Sequence, residues 1–300
     1  MTARKTQLDT LAITCLVGCC LLWGLNQVAA KAAMPEVPAL QQAAVRSIGG
    51  ALLVWVWAAL RGIRLFDADG SGRGGLLAGT LFAAEFGCIF LGLQFTSASR
   101  MAVFIYLSPF VVALGMPFIA RSERLAPLQM AGLVAAFAGV AWAFAEGFTR
   151  PAVGPDQWIG DALGVTAGVL WGATTLAIRG SRLGSVGAEK TLLYQLAISG
   201  VLLGAAAFAS GKPLPQTLSV LAWSSLVFQV VVVTFASYLL WFWLMRHYPA
   251  TRLASFTLLT PVFGLLMGAL LLGEPITLRL VVALLAVAGG IVLVNRPARS

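Results

Sequence analysis

Two ionisable side chains stand inside long apolar stretches, where each could do chemistry. Glu85 lies in LFAAEFGCIF and Arg46 lies in QQAAVRSIGG. A charge at the centre of a bilayer costs about 2.5–3.5 kcal/mol on insertion scales, so it is tolerated where it faces a cavity, pairs or is protonated. Glu85 could exchange protons or bind a substrate amine, or it could be a protonated group bonded to a neighbouring helix. Arg46 could bind a carboxylate, but its position nearer the end of its stretch favours snorkelling or pairing with Glu85.

Aromatic residues with amides or hydroxyls close by form a second candidate group. Trp23 is followed within one turn by Asn26, and Trp171 is followed by Thr174. An apolar surface with a few polar groups is typical of a small-molecule site, although such indoles could also serve only to pack helices together. The predicted substrate-binding residues are Trp23, Asn26, Glu85, Tyr106, Trp171, Thr174 and Tyr238.

Two prolines interrupt apolar stretches at matching places in the chain, Pro109 in LSPF and Pro261 in LTPV. Proline removes a backbone donor and tends to kink a helix, and neighbouring helices can satisfy the freed carbonyl group. We predict that Pro109 and Pro261 are hinges; static bends are the alternative.

The sequence contains none of several motifs that would indicate an enzyme or a metal site. The four cysteines lie in apolar stretches without histidine or carboxylate company, so they are predicted to be small buried hydrophobes and not metal ligands. The sequence contains no G-x-x-x-x-G-K-[ST] loop for ATP, no G-x-S-x-G elbow and no H-E-x-x-H pair. We therefore predict no enzyme activity, no catalytic or metal-binding residues and no cofactor.

The elements that position these residues are predicted to be membrane helices. Of the 300 residues, 59% are hydrophobic and only 10% are charged, and the mean hydropathy is +0.91, whereas soluble domains carry about 25% charged residues. A helix needs about 20 mainly apolar residues to cross a bilayer. We predict an all-α polytopic membrane protein with ten transmembrane helices at roughly 11–33, 39–60, 74–96, 98–120, 125–145, 158–179, 189–210, 217–245, 251–273 and 277–295.

The net charge of +9 follows the predicted topology. With a cytoplasmic N-terminus, 14 of the 20 Lys and Arg residues fall on the cytoplasmic side, five fall on the opposite side and Arg46 lies within a helix. This bias is the positive-inside rule, so the charge indicates orientation and not nucleic-acid binding. We predict a bacterial inner-membrane protein, multi-pass, with both termini cytoplasmic, in which the first apolar segment is retained as a helix.

The two halves of the chain resemble each other. The segment LLWGLNQVAA (21–30) corresponds to VLWGATTLAI (169–178), and ASRMAVFIYLSPF (98–110) corresponds to ATRLASFTLLTPV (250–262). Glu123 corresponds to Glu274, and each is predicted to cap the helix that it begins. We predict a first five-helix repeat at 11–145, a linker at 146–157 and a second five-helix repeat at 158–295. Because five is odd, the second repeat enters the membrane from the other side, as in inverted-repeat transporters.

These duplicated motifs resemble the EamA-type drug/metabolite transporter superfamily, and within it most of all the YddG-type aromatic amino-acid exporters. The resemblance covers residues 11–295 and implies ten helices, cytoplasmic termini and a central cavity between the halves. We therefore expect a secondary exporter of small metabolites, such as aromatic and other large neutral amino acids, that works by alternating access in the lipid bilayer. An exporter of drugs or cationic metabolites is the alternative, and a passive channel is disfavoured because the helices are too apolar. The oligomeric state is left open.

Overall fold

The computed structural model describes residues 5, 7–96, 98–145, 148, 154–213, 217–272 and 278–296. Every regular element in these residues is a helix. Most of the predicted linker 146–157 lies outside them, and so does Glu274, whose predicted capping role is therefore not addressed. Among the described residues, eight helical segments are long and apolar enough to cross a membrane, and two shorter apolar helices cover 127–143 and 281–295. An all-helical membrane fold is confirmed, while the number of ten spans stays a prediction.

The first half begins with three long helices joined by short loops. Its fourth segment is divided, and a 3₁₀ turn at Arg121–Glu123 precedes its last helix. The helices are α1 (Thr10–Ala33), α2 (Ala39–Leu60), α3 (Gly72–Gly92), α4 (Ala98–Ile105), α5 (Ser108–Ile119) and α6 (Pro127–Ala143).

The second half repeats this order with two additional irregularities. A 3₁₀ turn at Arg182–Ser185 follows the first helix of this half. A ten-residue π-helical segment, Phe228–Ser237, lies between two α-helices and continues the same rod. The α-helices are α7 (Gln157–Gly180), α8 (Ala188–Ala209), α9 (Val220–Val227), α10 (Tyr238–His247), α11 (Ala250–Phe256), α12 (Leu259–Leu272) and α13 (Leu278–Asn295).

The spans predicted at 98–120 and 251–273 correspond to the apolar segments Arg100–Ile119 and Ala250–Leu271, and each segment consists of two helices. The breaks fall at 106–107 and 257–258, just before Pro109 and Pro261. Proline has no N–H for the carbonyl four residues earlier, so the chain tightens there: Leu107 N–H donates to Phe104 O at 3.1 Å and Thr257 N–H donates to Ala254 O at 3.1 Å. The prolines therefore lie in the first turns of α5 and α12.

The packing of the two halves is symmetric under their exchange. Helix α3 packs on α7, and the corresponding contact of the other half is that of α9 and the π segment with α1. Helix α3 also packs on α8, and the π segment packs on α2 in the same way. Finally, α1 packs on α12, and α7 packs on α5. Helices α2 and α8 pack on each other, and so do α6 and α13. The packing of each half against the other thus uses corresponding helices.

Glycines allow the closest of these approaches. A Cβ atom on Gly24 of α1 would lie 2.7 Å from Gly264 N and 2.9 Å from Phe263 Cβ of α12. The corresponding Gly172 of α7 faces Val111 of α5, where an added Cβ atom would lie 3.0 Å from a backbone carbonyl oxygen. Small residues let transmembrane backbones approach. Gly24 and Gly172 therefore lie on helix-packing surfaces.

The outer surface of the bundle is apolar. Phe118 and Phe208 are each 91% exposed, and Leu60 is 80% exposed. Such a surface is far larger than the isolated apolar patches found on soluble monomers. It suits lipid, and it identifies the chain as a multi-pass membrane protein.

Candidate functional site

A cavity of about 720 Å³ lies between the two halves. Its walls come from α1, α2, α3 and α4 on one side and from α7, α8, the π segment and α10 on the other. The lining includes all seven residues singled out in the sequence, whereas Pro109 and Pro261 do not line it. The volume falls within the range of about 300–1,000 Å³ that is typical of small-molecule sites.

The cavity reaches one end of the bundle and stops short of the other. Tyr248 Oη donates to Asp9 Oδ1 at 2.9 Å and Arg252 donates to Asn295 O at 3.5 Å, so the described residues nearest both termini share one end, which we call the terminal face. The lining extends to the opposite face, where Met34 is 44% exposed.

Trp23 anchors one aromatic wall of the cavity. Its indole Nε1 donates to Ser237 Oγ at 2.8 Å, and Ser237 Oγ donates to Val233 O at 2.6 Å. The Trp23 ring makes edge-to-face contacts with Tyr238 and Trp241, with centroids 5.9 and 5.3 Å away. The π segment ends at Ser237 and so places this hydroxyl against the indole. A fixed indole presents a rigid apolar surface to the cavity.

Trp171 forms a second aromatic wall with a different partner. Its ring lies edge-to-face with Tyr106, with the centroids 5.7 Å apart. Tyr106 lies at the break between α4 and α5, and Thr174 Oγ1 donates back to Leu170 O at 2.8 Å on the same helix. The symmetric indoles thus belong to separate clusters, each of which lines the same cavity.

Arg46 is a buried residue of the cavity. It is only 9% exposed, so it does not snorkel to the membrane surface. Its Nε donates to Thr234 Oγ1 at 3.2 Å and its Nη2 donates to Tyr238 Oη at 2.5 Å, and its guanidinium carbon lies 5.2 Å from the centre of the Phe86 ring. These neighbours are all uncharged. The residue is also not paired with Glu85, which was the other alternative.

Glu85 lines the cavity as a buried acceptor. Its side chain is 6% exposed, and Oε2 has no hydrogen-bond partner among the described residues. Asn26 Oδ1, on α1, is likewise buried without a partner in this part of the chain. Buried polar groups are otherwise almost always hydrogen-bonded. Glu85 and Asn26 therefore offer acceptors to whatever occupies the cavity.

A buried ion pair closes the terminal face beneath the cavity. Glu123 pairs with Arg179, and these side chains are 6% and 2% exposed. Glu123 Oε2 also accepts the Ala250 N–H at 2.6 Å, while Arg179 donates to Met245 O at 3.0 Å. The expectation that Glu123 caps its own helix is wrong, because it lies in the 3₁₀ turn before α6 and caps α11 of the other half. An acidic side chain is stabilising at such an N-terminus.

A second cluster on the terminal face is more exposed. Lys5 Nζ lies 2.5 Å from Asp9 Oδ2, and Tyr248 Oη donates to the same carboxylate. The hydrogen bond from Lys5, then those from the Ala12 N–H and Tyr248, lower the pKa of Asp9 to about 2. This carboxylate precedes α1 and holds its first turn to the α10–α11 loop.

The opposite face carries its own ion pair. Asp161 Oδ1 accepts from Arg100 Nε at 2.9 Å and from Thr96 Oγ1 at 2.7 Å. Asp161 therefore joins the N-terminal part of α7 to α4. Thr96 lines the cavity, so this pair lies beside its mouth.

Known proteins that this chain resembles include some described as transporters or as an efflux pump. The sequence matches the EamA-like transporter family twice, over residues 10–145 and 158–296. A Bacillus subtilis protein described as the uncharacterized transporter YvbV is 30% identical over 93% of this chain and 90% of its own length. A Salmonella typhimurium protein described as a probable amino-acid metabolite efflux pump is 24% identical over 90% of each chain.

The fold is also shared with a solved structure. A crystal structure with a TM-score of 0.79 and 18% identity covers 94% of this chain and 96% of that one, which shows a common fold. The family match takes in nearly the whole chain, and the apolar helices that surround the cavity are those that a transporter requires. The chain belongs to the EamA-like transporter family.

Proposed function

We propose that this transporter exports small metabolites, among them aromatic and other large neutral amino acids, by alternating access through the cavity. The observation that carries the proposal is that cavity itself, which is enclosed by two aromatic clusters and a few polar groups. The proposed substrate-binding residues are seven of those that line it: Trp23, Asn26, Glu85, Tyr106, Trp171, Thr174 and Tyr238. The relative named for amino-acid metabolites supports this cargo, while aromatic preference rests on the indoles of the cavity wall.

The proposed mechanism exchanges two conformations of an inverted pair of five-helix repeats. The family match to 10–145 and 158–296 and the exchange symmetry of the packing support two such units, and the charge bias supports cytoplasmic termini in an inner membrane. The terminal face is then the cytoplasmic face, and this conformation is outward-facing. The broken helices at Pro109 and Pro261 are the proposed hinges, since each break has few backbone bonds to lose.

Single cysteines test the inverted arrangement. Ala68 lies in the α2–α3 loop, and Ser210 follows α8 in the corresponding loop of the other half; both are exposed. In a cysteine-free protein, Ala68→Cys should react with an impermeant maleimide from the cytoplasmic side and Ser210→Cys from the external side. Reaction of both from one side contradicts the inversion.

Efflux from proteoliposomes tests the function. Vesicles that contain the purified chain are loaded with a panel of labelled amino acids, and protein-free vesicles serve as the control. We expect protein-dependent efflux of Phe, Tyr and Trp, and also of Met. Absence of efflux for every amino acid in the panel contradicts the proposal.

Export of drugs or cationic metabolites is the second candidate, and Glu85 is the observation in its favour. A buried carboxylate beside aromatic faces can attract an organic cation. Arg46 in the same cavity opposes this reading, because it repels a cation that brings no anionic group. If the vesicles transport hydrophobic cations but no amino acid, the chain is an exporter of cations and the leading proposal is wrong.

A further inference from the structure

An acidic and a basic side chain line one cavity without forming an ion pair with each other. Arg46 reaches it from α2 and Glu85 reaches it from α3, and both side chains are at least nine-tenths buried. A buried charge is strongly unfavourable unless a counter-charge or hydrogen bonds compensate it. An ordinary structural pair would be expected to close into direct contact. Their separation leaves two poles for an occupant to neutralise.

Arg46 is held in a fixed orientation that leaves donors available. Thr234 and Tyr238 each take one of its hydrogen bonds, and the Phe86 ring lies against the guanidinium group. A guanidinium carries five N–H donors in a planar fork that matches a carboxylate. Both polar partners are neutral, so the described contacts orient the cation without cancelling its charge. This geometry suits an anionic group of the substrate.

Glu85 and Asn26 provide the complementary pole. Glu85 Oε2 and Asn26 Oδ1 are buried acceptors without partners among the described residues, and both residues line the cavity. A primary ammonium group carries three donors and no acceptor, so it can donate to either atom. The pole at Glu85 therefore selects a donor-rich cation.

The space between the poles has an apolar wall. The Phe82 and Phe86 rings lie with centroids 4.9 Å apart, and Phe82 lies edge-to-face with Tyr238 at 6.4 Å. All three line the cavity beside Arg46 and Glu85. An apolar substrate side chain can therefore pack here while its charged groups face the two poles.

We propose that the cavity recognises a zwitterion, with a free carboxylate bound by Arg46 and a free ammonium group bound by Glu85 and Asn26. This inference rests on the proposed function and narrows it to substrates that carry both groups. A molecule that lacks one group leaves a buried charge unpaired, and a lost charge-assisted hydrogen bond lowers affinity by about ten- to hundred-fold.

Competition against counterflow of labelled phenylalanine tests the proposal in proteoliposomes. The competitors are phenylalanine, phenylalaninamide, which lacks the carboxylate, and 3-phenylpropionate, which lacks the ammonium group. We expect each of the two analogues to compete at least about ten-fold less well than phenylalanine. Equal competition by either analogue overturns the zwitterion site but leaves amino-acid transport in place. Absence of counterflow for every labelled amino acid overturns the proposed function, and this inference with it.

Two variants assign the poles. Glu85→Gln should weaken competition by phenylalanine, while competition by 3-phenylpropionate should change little. The difference in competition between these two compounds should therefore become smaller than in the wild type. Arg46→Gln should weaken competition by phenylalanine but change competition by phenylalaninamide little, so the difference between these two compounds should also become smaller. Unchanged preferences in both variants contradict the assignment. Where a variant does not fold, the wild-type competitor series decides the question alone.

Discussion

The buried ion pair on the terminal face gives the sharpest conformational prediction. Glu123→Gln keeps the side-chain shape and an acceptor for the Ala250 N–H, but it removes the charge that faces Arg179. Breaking a buried pair by removing one partner costs about 3–5 kcal/mol. Because Glu123 belongs to the first half and Arg179 to the second, we expect the pair to separate when the terminal face opens. The substitution should then favour the open form by about two to three and a half powers of ten.

Reactivity of a cysteine on the cavity floor measures this shift. Met245 lines the cavity and is 3% exposed. The reporter is Met245→Cys in a protein whose native cysteines, Cys15, Cys19, Cys20 and Cys88, are replaced by alanine. An impermeant maleimide is added from the terminal face of inside-out vesicles. We expect Glu123→Gln to increase the labelling rate at least about ten-fold, since even part of the calculated shift suffices.

A matched control separates this effect from a general loss of charge. Asp67→Asn removes the same unit of charge from an exposed pair on the same face, where Asp67 Oδ2 lies 3.6 Å from Arg64 Nε. Exposed pairs contribute little, so its labelling rate should match the parent. Adding Arg179→Met to Glu123→Gln should restore part of the closed population, because an apolar replacement removes the unpaired cation. An unchanged rate in correctly folded Glu123→Gln refutes the reasoning.

Three further predictions concern the wall of the cavity, helix packing and acid stability. Trp23→Ala should weaken competition by aromatic amino acids by about two- to twelve-fold at equal expression, given about 0.5–1.5 kcal/mol for an aromatic contact; unchanged competition in counterflow contradicts this. Gly24→Ala should lower the melting temperature in detergent, because a Cβ atom there meets Gly264 N at 2.7 Å and overpacking costs about 1–3 kcal/mol. Gly18→Ala, on the same helix but facing open space, should not lower it, and equal losses refute the contact. The pKa of Asp9 is lowered from 3.8 to about 2, so its contribution is present above pH 3.8 and is lost as pH falls towards 2. Asp9→Asn should therefore show a smaller fall in melting temperature across that window, and parallel acid curves contradict this.

The sequence predicted the helical framework because apolar runs of about 20 residues leave few alternatives in a membrane. It did not predict the π segment Phe228–Ser237, since a widened helix has no clear local signature and is set by the helices packed on it. It predicted hinges or static bends at Pro109 and Pro261, and the structure has a break just before each proline. Proline permits a kink or a full break, and packing decides between them.

The candidate site was predictable where a residue type was itself unusual. Glu85 and Asn26 are polar groups inside apolar helices, and Trp23 and Trp171 recur at matching places, so all could be selected from one sequence. Their location in the cavity agrees with that choice, while their role in substrate binding stays a prediction. Arg46 was assigned to the membrane edge, because its depth along α2 suggested snorkelling.

The sequence could not predict which residue on a distant helix a polar side chain contacts. Arg46 is buried because α2 packs on the π segment, which supplies Thr234 across a separation of 188 residues. Glu123 stands before α6 and therefore resembles an ordinary helix cap. Its acceptor oxygen instead meets Ala250, 127 residues away. Both errors arose because local patterns do not specify which distant helix lies alongside.

One measurement tests most directly whether the cavity carries an amino acid across the membrane. It is counterflow of labelled phenylalanine into proteoliposomes preloaded with unlabelled phenylalanine, compared between the wild-type chain and Thr174→Trp, which fills the cavity. Thr174 is buried in the wall. As a control, the melting temperature and the size-exclusion elution profile must show that Thr174→Trp is folded. The proposal predicts saturable counterflow in the wild type and its loss in Thr174→Trp. Counterflow that is absent in the wild type, or equal in folded Thr174→Trp, contradicts it.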